Sequence, residues 1–72
     1  MKETYIKFKD RVVDRGAYTH HGINPSCKHV DGATIPMWAV HIHWKPGGNH
    51  HIEQFSDEVS AREFYDSITA QL

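Results

Sequence analysis

The sequence predicts a small α+β domain: an antiparallel β-meander of three to four strands, with one C-terminal helix packed on one sheet face. Three observations carry this. Apolar and polar residues alternate through residues 4–13 and 37–44, the period of strands with one wet face. Asp31-Gly32 and Pro46-Gly47-Gly48 punctuate the chain as turns. Ala61, Phe64, Tyr65, Ile68 and Leu72 then recur at helical spacing.

Residues 4–13 read as one strand. Ile6, Phe8 and Val12 point one way, and Tyr5, Lys7, Lys9 and Arg11 the other. Asp10 interrupts the apolar face, so the strand ends or bulges there. Residues 14–36 read mainly as loop, punctuated by Gly16, Gly22 and Asn24-Pro25. Within them Val30-Asp31-Gly32-Ala33 is a tight hairpin turn, because Asp-Gly supplies the positive φ angles of type I′. Its short arm, residues 27–30, pairs back on residues 33–35. Pro36 cannot donate to a ladder and marks an edge or a kink.

Residues 37–44 form the strongest strand, with Trp38, Val40, Ile42 and Trp44 on one face and Ala39, His41 and His43 on the other. A three-residue loop, 46–48, leads to a returning strand at 50–55. Ser56 caps the helix, with Asp57 and Glu58 at the positive end of its dipole. The two indoles gain most from burial, so their face is the core and the helix stripe its cover.

Composition bounds the function. At 72 residues the chain, residues 1–72, is one domain, and a chain this short buries only about 60% of its unfolded surface. Apolar residues make up 39% and charged residues 24%, a globular balance rather than a disordered one. The net charge of −1 advertises no polyanion. Cys27 is the single cysteine, so no internal disulfide forms. The start MKETYIKFKD lacks the apolar run of a leader or a membrane span, and the expected location is the cytoplasm, with no membrane partner. Seven histidines stand out.

Four of them flank the Pro-Gly-Gly turn. With a three-residue loop, Lys45 pairs with Asn49, His43 faces His51 and His41 faces Glu53, while Ile42 meets Ile52 on the core side. Facing Cβ atoms lie roughly 4.5–5.5 Å apart, and residues two apart on a strand about 6.5 Å. His41, His43, His51 and Glu53 thereby form a candidate zinc site. The competing reading is an ordinary solvated sheet face. Without metal, the crowded imidazoles repel when protonated, so stability is expected to fall as the pH drops through about 6. Cys27 with His20, His21 and His29 matches no compact zinc-finger spacing.

The basic residues Lys7, Lys9 and Arg11, with Tyr5 as a stacking platform, form a candidate nucleic-acid face. A plain solvated strand face explains them as well. No nucleotide loop, nucleophile triad or paired acid/base carboxylates occur, so a non-catalytic role is expected. The reading that ranks first is an inhibitor-like binding or regulatory module without a cofactor. It docks on another macromolecule, a protein, through the 14–36 loop and the wet sheet face, using Tyr18, His20, His21, Asn24 and His29. A homodimer through a sheet edge is the related expectation. Zinc binding and nucleic-acid binding are the alternatives.

Overall fold

The computed structural model describes residues 4–72, in the order β1 (Tyr5–Phe8), β2 (Arg11–Asp14), β3 (Tyr18–Val30), β4 (Ala33–Trp44), β5 (Asn49–Phe55) and α1 (Glu58–Thr69). The reading of residues 1–3 as part of a charged, leader-free start lies outside the described residues. The strands form two antiparallel sheets, a β1–β2 hairpin and the meander β3–β4–β5, and the helix packs on the meander. The α+β class and the helix-covered sheet are as the sequence predicts.

The first strand is in fact two. Lys9 takes a left-handed φ of 56°, and the chain reverses at Lys9-Asp10, pairing Phe8 with Arg11 and Ile6 with Val13. Asp10, which interrupts the apolar alternation, sits in the turn. The reversal resets the pattern: Val13 goes inside with Ile6 and Phe8, whereas Val12 is 58% exposed.

Residues 14–36 are likewise not a loop. The Asp31-Gly32 turn forms as predicted, with φ of 50° and 78°, but its arms run on as strands of 13 and 12 residues. The apparent breakers are accommodated by position. Pro25 lies on β3, an edge strand, where a missing N–H is tolerated. Pro36 lies on β4 beyond Trp38, where pairing with β5 stops. Gly22 lies directly opposite His41.

The core forms where both layers meet the indole face of β4. Ile6, Phe8, Val13, Ile42 and Ile68 are buried together, with Tyr18, Trp44 and Phe64 packed against them. Full burial of such side chains contributes about 1.5–3 kcal/mol each. Both tryptophans are half-buried. The helix cap is Asp57, not Ser56: the Asp57 carboxylate accepts from the Ser60 amide at 3.0 Å. Those bonds from Ser60 hold the Asp57 carboxyl below its ordinary pKa. Just past the helix, Gln71 clamps β1, its side-chain amide accepting from Lys7 N and donating to Lys7 O, each at 2.7 Å.

The turn between β4 and β5 has four residues, 45–48, not three. The Lys45 N–H donates to Ala17 O at 2.7 Å, on the β3 side, which takes Lys45 out of the β4–β5 ladder. Asn49 N donates to Pro46 O at 3.3 Å, and Gly48 supplies a φ of 95°. Trp44 therefore pairs with Asn49, His43 with His50, Ile42 with His51, His41 with Ile52 and Val40 with Glu53. Relative to the expected register every β5 side chain changes face. Ile52 becomes 55% exposed.

Candidate metal centre

The register correction dissolves the predicted ligand set. His41 and His43 stay on the outer face, while His51 and Glu53 go to the core face. There His51 packs against the Phe8 ring, centroids 5.5 Å apart. Its Nε2 lies 3.0 Å from Glu53, whose carboxylate pairs with Lys9 at 3.2 Å. Burial pushes the Glu53 carboxyl up, but the bonds from His51 and Lys9 outweigh it and leave the pKa below the ordinary value. This Lys9–Glu53–His51 string ties the β1–β2 turn to β5.

A different cluster forms on the outer face. β3 brings His20 opposite His43, and β5 brings His50 opposite it from the other side, so three histidines stand in one row across three strands. His41 is two residues along. Ring nitrogens of His20, His41 and His43 all lie within 4.8 Å of one another. His41 Nδ1 and His43 Nε2 are 3.0 Å apart, close to the edge of about 3.3 Å that Zn–N bonds of about 2.0–2.1 Å give a tetrahedron. The His20 and His43 rings stack with centroids 4.3 Å apart and planes at 14°.

Gly22 makes room for this. A Cβ at Gly22 would lie 2.7 Å from His41 Nε2, so only glycine lets the His41 ring lie down on β3. The His20 tautomer is fixed by its neighbour. The Thr19 hydroxyl donates its proton to His43 O at 2.8 Å. The 3.2 Å contact between His20 Nδ1 and Thr19 Oγ1 must then have Nδ1–H as donor. Nε2 of His20 is left with a free lone pair, the arrangement that outer-sphere bonds impose on metal-ligating histidines. His43 is held below its ordinary pKa by desolvation, then by His20, His41 and His50. The neutral imidazole it favours is the form that binds metal.

Of the predicted docking set, Tyr18 and His21 face the helix rather than solvent. Tyr18 Oη lies 2.5 Å from His21 Nδ1, and His21 Nε2 lies 2.9 Å from Thr69 Oγ1. Thr69 Oγ1 donates to Tyr65 O at 3.2 Å, so the chain runs from the Tyr18 hydroxyl through a His21 protonated at Nε2 to the helix backbone. Burial, then the charges of His41 and His20, lower the His21 pKa. Burial, then Tyr65, raises that of Tyr18. Asn24 is exposed on the outer face, and His29 lies near the hairpin tip, bonded to Thr34 at 3.2 Å. These five residues do not share one surface.

The basic set does not share a face either. Arg11 pairs with Phe8 and sits over the Trp44 ring, 5.8 Å from its centroid. Lys9 is in the turn, engaged with Glu53. Only Lys7 and Tyr5 point outward together, the Lys7 ammonium 5.3 Å from the Tyr5 ring centroid. Cys27 is exposed and stands apart from the histidine cluster.

Among the described residues no helix is long and apolar enough to cross a membrane. No protein-family model, curated protein or solved structure matches this chain.

Proposed function

We propose that this chain is a small binding module, without catalytic machinery of its own, that holds a divalent transition-metal ion on the outer sheet face through His20, His41 and His43. The convergence of three ring nitrogens within 4.8 Å carries the reading. Two supports stand beside it: Gly22 clears the space for His41, and Thr19 sets the His20 tautomer. An all-imidazole set suits zinc, copper(II) or nickel and disfavours calcium or magnesium, which require oxygen ligands. The test is calorimetric titration of metal-stripped protein, purified without an affinity tag, with zinc. One saturable site tighter than micromolar is expected, lost in His43→Ala. Failure of the unaltered protein to bind overturns the reading.

A second reading, docking on another protein from a cytoplasmic setting, is favoured by the far end of the β3–β4 hairpin. This end runs past β5, and its Val30 and Ile35 are 41% and 37% exposed. Lys28 is the only lysine or arginine from residue 24 to residue 36, which suits a protein better than a nucleic acid. Here Val30→Thr with Ile35→Thr should abolish capture of the partner without lowering the melting temperature. A partner retained by the double variant excludes this end as the docking element. The edge strand β3 offers the related route to a homodimer, which light scattering would detect as a doubled mass.

A further inference from the structure

We infer that His50 is the fourth ligand, so that the metal is closed in by four imidazoles drawn from all three strands of the meander. This rests on the metal-binding reading above and fixes its coordination number and its mechanical effect.

Three observations point to His50. It stands directly opposite His43 on β5, on the cluster's face of the sheet. Its ring already stacks beside that of His43, with centroids 5.8 Å apart and planes at 28°. Its Nδ1 lies 3.0 Å from the carbonyl oxygen of Gly48, to which only an N–H can donate. His50 is therefore protonated at Nδ1 and carries its lone pair on Nε2. That is the tautomer a metal needs, fixed by a backbone carbonyl as outer-sphere acceptors commonly fix it.

His20 and His50 approach His43 from opposite strands, each with Nδ1 engaged and Nε2 free. His41 Nδ1 and His43 Nε2 face each other across 3.0 Å with one proton between them. The ion takes that proton's place, and the proton moves to the other ring nitrogen of its histidine. His50 is not yet within the 4.8 Å group of His20, His41 and His43; a swing of its exposed ring about the Nδ1–H bond to Gly48 O brings Nε2 to the fourth position. The filled site is of the closed, structural kind rather than the open catalytic kind. It also pins the four-residue turn between β4 and β5 to β3.

Cobalt(II) as a spectroscopic zinc substitute tests this. The unaltered protein should show the strong visible absorption of four-coordinate cobalt(II). His50→Ala should weaken that absorption toward the five- or six-coordinate form and reduce zinc affinity by at least the roughly 10- to 100-fold that loss of an outer-sphere partner alone causes. His50 is exposed, and an unchanged urea midpoint without metal will show that the variant folds. An unchanged spectrum and affinity in His50→Ala, with binding still abolished by His43→Ala, overturns the fourth ligand and leaves the three-histidine site standing. Absence of binding in the unaltered protein overturns both.

Discussion

His41 lies so close over Gly22 that a methyl group there would meet its ring at 2.7 Å from Nε2 and 2.8 Å from Cε1. The obstruction is the tip of a side chain, which can swing away, rather than backbone. Gly22 also has no positive φ. Gly22→Ala should therefore leave stability level or raise it by about 0.4–1 kcal/mol through a less flexible unfolded chain. Zinc affinity should nevertheless fall about tenfold or more, because His41 is displaced. Urea unfolding and calorimetry on the same sample separate the two effects. Loss of stability with intact affinity would contradict the account.

Zinc should stabilise the fold, since its ligands come from separate strands that are apart in the unfolded chain. At free zinc of about 100 times Kd, linkage adds about 2.7 kcal/mol. For a domain this small that raises Tm by at least about 10 °C. Scanning calorimetry with and without chelator checks it, and His29→Ala should leave the shift intact.

The Tyr18–His21–Thr69 chain joins β3 to the end of α1. Tyr18→Phe removes the donor to His21 Nδ1 and should cost about 0.5–1.5 kcal/mol in urea unfolding. Zinc affinity should hardly change, because Tyr18 and His21 lie on the opposite sheet face from the cluster.

Acid should act on the metal-stripped protein in two steps. His21 and His43 both have folded pKa values below the ordinary 6.5. The unfolded chain then binds protons more readily than the fold, so their contribution is intact above pH 6.5 and is lost as the pH falls through the folded values. Glu53 has a pKa below its ordinary 4.5, so its contribution persists to lower pH and disappears only below 4.5. Melting temperature followed from pH 8 to pH 3 should show both declines. In Glu53→Gln the first should remain and the second should shrink and start lower, to the part that Asp57, also held below its ordinary 3.8, supplies.

Much of the fold was legible because it depends on periodicity. The indole face of β4, the Asp31-Gly32 turn and the stripe Ala61–Phe64–Tyr65–Ile68 all follow from spacing alone. The β1–β2 reversal was not, because its turn is Lys9-Asp10, with no glycine, and Lys9 adopts a conformation that lysine rarely takes. That omission also hid the β5 register. With no hairpin to meet them, His51 and Glu53 have no reason to face inward, and Ile52 is the natural core residue. In the folded chain Phe8 and Lys9 supply partners for both, and Lys45 is drawn off by Ala17.

The site was half legible. His41 and His43 follow from the alternation of β4. His20 was also within reach: pairing outward from Val30 and Ala33 leads step by step to Gly22 opposite His41 and His20 opposite His43. Asn24-Pro25 and Pro36 conceal that path, because they read as breaks unless the edge position of β3 and the early end of β5 are known.

The most direct test of the central claim is to follow the ring nitrogen resonances of all seven histidines during a zinc titration. Metal-bound shifts at His20, His41 and His43, with His29 and His51 unmoved, are the predicted result. Movement of His51 together with His43, or of none of the three, would contradict it.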